Sequence, residues 1–222
     1  MSRVIASTLT VVTPSTVPVL DLDTVRRHVR SATDTEDDLL ESWVTAAAAY
    51  WEEQTGRPIM RTVFELWLDG VPGTVGTAPA RIELPRPPLV SVESLTYIAS
   101  DGTETAFTDG ASPETALWRA VAPAGLYARR GWVEPLAGQT WPTVRDQADA
   151  LRIRFTAGYA ENATEVPDLI RGTLLLLVGA FEQFRSQVHY SEGARLETLP
   201  WGVTEQIDAF KWSAQSGQVL RT

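Results

Sequence analysis

The sequence predicts an α+β fold in which a small bundle of α-helices carries an inserted antiparallel β domain and extended N- and C-terminal segments. Helical periodicity is concentrated in residues 21–57 and 161–190, while strand-like alternation fills residues 58–160. The outer segments 1–20 and 191–222 show neither pattern strongly. We therefore divide the chain into an N-terminal arm, two parts of a helical core that enclose the β domain, and a C-terminal tail.

The first helix is predicted near the start of the helical core. Asp21 or Asp23 can cap it, because an aspartate side chain accepts hydrogen bonds from the free N–H groups of a first turn. Leu22, Val25 and Val29 recur at helical spacing and fall on one face. This face is expected to be buried.

A long second helix is predicted to end at Gly56. Thr35 and Asp38 have the spacing of a capping box, and acidic side chains in a first turn complement the helix dipole. The Leu and Trp stripe of this helix indicates core packing. Its alanine run is a smooth flank that could face the chain's own core or a neighbouring subunit. The candidates for a subunit interface here are Ala46, Ala47 and Tyr50.

Short strands fill the middle of the chain. Asp101-Gly102 is the clearest hairpin signal, since this dipeptide suits a two-residue turn. The last strand alternates apolar residues with Arg152, Arg154 and Thr156, so one polar face is exposed or covers an interface. The predicted strands span residues 63–68, 81–84, 92–99, 103–108, 117–121, 125–128 and 150–156.

Pro167 opens another long helix, at the first-turn position that proline favours. This helix is apolar around most of its circumference and must be buried on several sides. Burial shared between subunits is one explanation, which makes Leu174 and Phe181 interface candidates. The tail that follows carries apolar anchors, which predict docking onto a partner, with packing on the chain's own domain as an equal alternative. The docking candidates are Leu199, Pro200, Trp201, Ile207, Phe210 and Trp212.

Composition excludes several classes of function. The 222 residues carry a net charge of -9, and Lys211 is the only lysine, so tight binding to nucleic-acid phosphates is disfavoured. The absence of cysteine excludes disulfides and thiolate metal sites. The N-terminus lacks the pattern of a signal peptide, and the longest apolar run, residues 174–181, is too short to span a bilayer.

No catalytic residue, cofactor site or metal site is predicted. His28 and His189 each lack a companion at ligand spacing. The acidic run at residues 34–38 could bind a divalent cation, but helix capping accounts for it. A hydrolase with paired carboxylates is the least favoured class. The runner-up to an assembly protein is a β-rich tail or baseplate module that binds carbohydrate or a receptor through an exposed ring such as Trp118 or Trp132.

Several segments match a known pattern when they are taken in order. They are residues 34–43 with 53–57, residues 84–92 leading into Tyr97 and Asp101-Gly102, residues 152–159, and Val166-Pro167 before a Leu-rich helix. As an ordered set they resemble the head–tail connector proteins, also called neck adaptor or head-completion proteins, of long-tailed phages and gene transfer agents. The resemblance covers about residues 20–110 and 140–190.

This resemblance implies a structural virion protein of the neck, made and assembled in the host bacterial cytoplasm, and not an enzyme. It implies a homo-oligomeric ring, commonly of twelve copies, that lies beneath the portal protein, extends the DNA channel and receives a stopper or tail-completion protein. In relatives the C-terminal segment docks on the portal, which here corresponds to residues 196–212. DNA would pass without specific binding, in keeping with the negative charge, and no membrane or cofactor takes part.

Overall fold

A computed structural model describes residues 7–31, 36–75, 78–107, 117–184 and 202–211. The chain divides into a β unit, made of Met1–Ser15 and Arg61–Gly158, and a helical unit, made of Thr16–Met60 and Tyr159–Thr222. The predicted α+β class is confirmed, with four helices and antiparallel sheets.

The described residues of the helical unit form four helices. They are α1 (Leu22–Val29), α2 (Asp37–Thr55), α3 (Asp168–Phe184) and α4 (Val203–Phe210). Helix α3 contacts the other three, and α2 also contacts α1 and α4. No helix within the described residues is both long enough and apolar enough to cross a bilayer.

The first two helices begin and end largely as the sequence predicts. Asp21 is the N-cap of α1, and its carboxylate accepts a hydrogen bond from the Thr24 N–H at 3.1 Å. Helix α2 has Glu36 as its N-cap, while the predicted capping residue Thr35 lies outside the described residues. Gly56 ends α2 in the left-handed conformation at φ 69°, which glycine adopts without a steric penalty.

Helix α3 begins directly after Pro167, whose carbonyl accepts a hydrogen bond from the Arg171 N–H at 2.9 Å. Four of its apolar side chains, those of Ile170, Leu174, Leu177 and Val178, are fully buried. The prediction that this helix is buried on several sides is therefore confirmed. Within the described residues, the neighbouring helices of the same chain supply that cover.

The described residues of the β unit form ten strands. They are β1 (Ser7–Thr13), β2 (Thr62–Leu68), β3 (Thr74–Val75), β4 (Ala78–Pro79), β5 (Ile82–Glu83), β6 (Leu89–Ile98), β7 (Glu104–Ala106), β8 (Trp118–Val121), β9 (Trp132–Pro135) and β10 (Leu151–Ala157). The main sheet has the order β1-β2-β10-β6-β7, a second has the order β5-β9-β8, and β3 pairs with β4. All these pairings are antiparallel.

The core of the β unit is built from the inward side of the central strand β10. Leu151, Ile153 and Phe155 are fully buried, and the Phe155 ring stacks on Phe64 of β2 at 5.6 Å. The β6–β7 hairpin around Asp101-Gly102 is confirmed by the pairing of Ile98 with Glu104, but its loop is longer than the two-residue turn that this dipeptide suits. The alternation of apolar and polar residues thus predicted correctly which residues of β10 face the core.

Residues 125–128 and strand β9 differ from the sequence-based predictions for the β unit. Residues 125–128 were predicted to be a strand, but they form a turn in which the Ala128 N–H donates to the Gly125 carbonyl at 3.1 Å, with Gly125 at φ 107°. That backbone angle is incompatible with an extended strand. Strand β9 was not predicted, because only Val133 of its four residues faces the core.

Residues 1–20 were predicted to be an extended N-terminal arm, but part of this segment belongs to the main sheet. Residues 7–13 form β1, an edge strand that pairs with β2 with an irregularity between Val11 and Thr13. Thr and Val are β-branched and favour this extended pairing. Leu9 packs against the β core, while Val11 is 55% exposed.

Candidate interaction surfaces

The C-terminal helix α4 is held on the helical unit by a buried arginine. Arg57, two residues beyond the end of α2, is 2% exposed. Its Nε–H donates to the carbonyl of Phe210, the last residue of α4, at 2.8 Å, and its Nη1 lies 3.2 Å from the Tyr159 hydroxyl. The carbonyl end of a helix carries partial negative charge, so a guanidinium there is electrostatically favourable.

Aromatic packing covers the same end of α4. The fully buried rings of Trp51 and Phe210 meet edge to face with centroids 5.1 Å apart, and Trp51 also meets Tyr159 at 6.4 Å. Edge-to-face pairs are favourable beyond the area they bury. The Trp51 Nε1–H is buried and has no hydrogen-bond partner among the described residues. Trp51 is thus held by the shape of the site and not by a polar contact.

The start of α4 is fixed independently. The Glu205 carboxylate accepts a hydrogen bond from the Gly202 N–H at 3.0 Å, which satisfies one of the free donors that every helix start leaves. Gln206 and Thr173 of α3 form a side-chain hydrogen bond at 2.5 Å. Val203 and Ile207 are buried on the same side of the helix as Phe210.

Two of the predicted docking residues, Ile207 and Phe210, take part in these contacts. Ile207 and Phe210 are covered by the chain's own helical unit, which was the alternative left open by the sequence. Their spacing with Val203, at i, i+4 and i+7, is a helical signal that could have revealed α4 beforehand. The other four candidates, Leu199, Pro200, Trp201 and Trp212, lie outside the described residues.

The five subunit-interface candidates fall into two groups. Ala47 and Leu174 are fully buried inside the helical unit, so they contribute to its core. Ala46 is exposed, and Tyr50 and Phe181 are half-buried. On α3 the exposed leucine is Leu176, at 39%, which the uninterrupted Leu run could not distinguish from its neighbours.

One side of α2 forms a continuous exposed strip with small residues in its middle and carboxylates towards its ends. The hydroxyl groups of Ser42 and Thr45 donate to the carbonyls of Leu39 and Glu41, at 2.7 and 2.9 Å. These hydroxyls are therefore satisfied by the helix itself. We call this surface the α2 strip; it consists of Asp38, Glu41, Ser42, Thr45, Ala46, Ala49 and Glu53.

The outer face of the main sheet is polar, but its charges are paired internally. Arg154 binds Glu93 at 2.9 Å and approaches Glu65 to 3.6 Å. Arg152 pairs with Glu104 and lies over the Trp67 ring at 5.1 Å, a cation–π contact. The alternating arginines predicted for the last strand therefore stabilise neighbouring strands of this sheet.

The acidic run at the start of α2 is engaged in a structural ion pair. Asp37 accepts hydrogen bonds from Arg26 of α1, one of them at 2.8 Å. The Arg26 guanidinium lowers the pKa of the Asp37 carboxyl, chiefly by hydrogen bonding. Within the described ranges no group of three or more histidines and carboxylates is arranged to hold a metal ion.

Neither tryptophan singled out for carbohydrate stacking offers a fully open ring. Trp118 is buried, and its Nε1–H donates to the Phe107 carbonyl at 2.6 Å. The Trp132 ring is covered on one side by the Arg81 guanidinium at 4.6 Å, and its Nε1–H bonds to Glu134. Both rings serve the packing of the β unit.

Several solved structures contain chains similar to this one, whereas no protein-family model and no curated protein matches it. A chain from the neck of an empty GTA particle, computed with C6 symmetry, has a TM-score of 0.67 and 24% identity, covering 92% of this chain and 95% of that one. A chain from the virion of a native gene transfer agent (GTA) particle has a TM-score of 0.63 and 24% identity, with coverages of 91% and 94%.

The third chain comes from the neck of a native GTA particle, computed with C12 symmetry. Its TM-score is 0.63 and its identity 24%, and the match covers 92% of this chain and 94% of that one. Coverage above nine-tenths on both sides means that the β unit and the helical unit are both matched. This chain therefore has the fold of protein chains from gene-transfer-agent particles, in agreement with the family resemblance of its sequence.

Proposed function

We propose that this chain is a structural neck protein, an adaptor that forms a ring with copies of itself beneath a portal protein. The observation that carries the proposal is the fold match to chains from two neck structures over 92% of this chain. The C6 and C12 symmetries of those particles support a ring, with twelve copies as the number to test. In this role the chain binds structural partners and catalyses no reaction.

The charge of the chain suits a DNA channel that extends the portal. Each copy carries -9, so a ring concentrates negative charge around the path of the DNA. Like charges repel the phosphate backbone and prevent adhesion, which a conduit needs. On the side away from the portal the ring would receive a stopper or tail-completion protein.

Docking on the portal is assigned to the C-terminal segment on either side of α4. Helix α4 itself contributes Val203, Ile207 and Phe210 to the core of the helical unit. A truncation after Leu196 would therefore remove core residues as well as docking residues. A truncation after Lys211 retains the bond from Arg57 to Phe210 and removes Trp212, and is the cleaner variant.

The test is electron microscopy of purified particles carrying this chain, combined with that truncation. We expect the chain as a ring directly below the portal, and we expect the Lys211 truncation to fold but to enter far fewer particles. A variant with Gln215→Ala alone is the matched control, because it leaves the segment in place. Finding the chain only outside the neck, or as a single copy, would contradict the proposal.

A further inference from the structure

Helix α3 carries an apolar strip on the side away from its buried residues. Leu176 is 39% exposed, and Gly172, Leu175 and Gly179 lie half-buried within four positions of it. We call this surface the α3 strip; it consists of these four residues. Residues 172–181 contain no charged side chain, so about three turns of this helix present no charge to solvent. Because an exposed helix face is normally polar, the α3 strip is suited to burial by a partner.

The α3 strip combines an open hollow with a projecting side chain. No atom lies within 4 Å of the position that a Cβ on Gly172 would occupy. Leu176 follows one turn later, about 6 Å along the helix axis. At Gly179 the corresponding Cβ position lies 3.3 Å from His28 Nε2 of α1, so the chain itself partly fills that end. The open part of the strip is therefore the hollow at Gly172 and the leucine beside it.

Helix α2 carries a pair of residues with the opposite order of sizes. Ala46 is exposed, and Tyr50, four positions later, is half-buried. Residues 42–51 contain no charged side chain either. When the two helices run antiparallel and Ala46 lies opposite Leu176, the equal spacing places Tyr50 opposite Gly172. A small residue then faces a large one at both positions, as close packing between helices requires.

These two surfaces do not meet within one copy. Helices α2 and α3 of the same chain contact each other, but their buried sides supply that contact. The Tyr50 ring of the same copy does not fill the hollow at Gly172, since that space holds no atom. Ala46 and Leu176 are both exposed. The matched pairs are therefore available to a second copy.

We infer that Ala46 and Tyr50 of one copy pack antiparallel against the α3 strip of the next copy. Each copy then gives one helix surface and receives the other, and such a heterologous contact closes into a ring when the rotation between copies divides a full turn. This inference rests on the proposed function and names the helices that build the ring. A ring sets copies of this chain side by side, so a second copy is the partner that both surfaces meet.

Filling the hollow tests the contact without weakening the subunit. Gly172→Leu enters open space and replaces a poor helix former with a good one, so the urea midpoint of the free chain should stay equal or rise. In the ring the new side chain would collide with Tyr50 of the next copy, and the yield of particles with a neck ring should fall about tenfold or more. Glu182→Leu adds the same side chain at an exposed position of α3 outside the strip and is the matched control. Assembly of Gly172→Leu at the wild-type yield would overturn the inference.

An exchange of sizes tests which residues face each other. Ala46→Leu sets two leucines against each other and should also lower the particle yield about tenfold or more. Adding Leu176→Ala to the same chain should restore most of the yield, because every contact in the ring then again joins a large side chain to a small one. Ala46→Leu with Glu182→Ala is the matched control and should stay low. Equal yields from the two double variants would contradict the proposed pairing.

The absence of native cysteine allows cross-linking to show that the contact joins different copies. Particles assembled from a mixture of Ala46→Cys copies and Leu176→Cys copies, treated with a short bismaleimide, should give dimers that contain one copy of each kind. A chain that carries both substitutions should give a ladder of linked copies. A mixture of Ala46→Cys with Glu182→Cys is the control and should give no dimers. Dimers between two identical copies would show an isologous contact and overturn the inference.

The outcomes separate this inference from the proposed function. If the chain forms a neck ring but gives no cross-linked copies, the helix contact is wrong and the neck assignment survives. If the chain is absent from the neck, the proposed function itself fails. Loss of particles in Gly172→Leu without cross-links between wild-type-sized surfaces would assign the α3 strip to a different neck protein, and would also overturn the inference.

Discussion

The Nε–H of Arg57 donates to the carbonyl of Phe210 at 2.8 Å across 153 positions of sequence. This bond joins the end of α2 to the end of α4, the last described helix. Both residues are almost fully buried, so solvent cannot substitute for either partner. The position of α4 is therefore coupled to a single side chain that lies just after the end of α2.

Replacing Arg57 should loosen α4 before it unfolds the rest of the helical unit. Arg57→Ala leaves the Phe210 carbonyl without this donor and opens a cavity, so we expect a loss of about 2–4 kcal/mol in the free energy of unfolding. Arg57→Lys should lose less, because it retains the positive charge. Urea unfolding gives the free energy, and limited proteolysis between residues 202 and 211 reports on α4. Arg27→Ala, at an exposed arginine, is the control; an equal loss there would refute the role of Arg57.

Substitutions at Trp51 test whether the packing of its ring or hydrogen bonding by its Nε1–H stabilises the helical unit. Its ring packs on Phe210 and Tyr159, but its buried Nε1–H has no hydrogen-bond partner in the part of the chain that the structure describes. Trp51→Phe removes that unsatisfied donor and keeps an aromatic ring, so it should cost less than half of Trp51→Ala. The alanine variant should lose about 3–5 kcal/mol. Thermal and urea unfolding of both variants measure the difference, and equal losses would show that the indole N–H matters.

Elements that are marked by neighbouring residues were predicted from the sequence, whereas elements that depend on pairing with distant residues were not. Four local features could be predicted because each depends on neighbouring residues. They are the cap at Asp21, the helix end at Gly56, the turn at Asp101-Gly102 and the helix start after Pro167. Strand β9 was not predicted, because it is recognised only by its pairing with β5 and β8, which lie elsewhere in the sequence.

The interaction surfaces were harder to predict for a related reason. Ala46 and Ala47 are adjacent in sequence, yet one is exposed and the other fully buried. Leu174 and Leu176 differ in the same way. An alanine run and a leucine run contain no polar residue to mark the outward face of the helix. Which residue is exposed is therefore decided by how the four helices pack on one another.

Gly131 should tolerate no side chain. A Cβ there would lie 2.4 Å from Leu89 and 2.9 Å from the Val121 carbonyl, closer than real contacts allow. We expect Gly131→Ala to cost about 1–3 kcal/mol, because the backbone of β8 cannot move aside without breaking its pairing with β9. Gly70→Ala has open space and is the matched control in the same unit. Unfolding midpoints in urea provide the comparison, and similar midpoints for the two variants would contradict this packing.

The ion pair between Arg26 and Asp37 should make the helical unit sensitive to acid. The bond to Arg26 lowers the pKa of Asp37 in the folded state, so the folded protein binds that proton less readily than the unfolded chain. The stability contributed by the pair is therefore present above the pKa of an unfolded aspartate, about 3.9, and is lost as pH falls through the lower folded value. Asp37→Asn should lower stability at pH 7 and flatten its decline below about pH 5. Asp38→Asn removes the same charge from the same turn and serves as the control. Urea unfolding from pH 7 to pH 3 measures both, and an unchanged slope in Asp37→Asn would exclude this pair as the source of acid sensitivity.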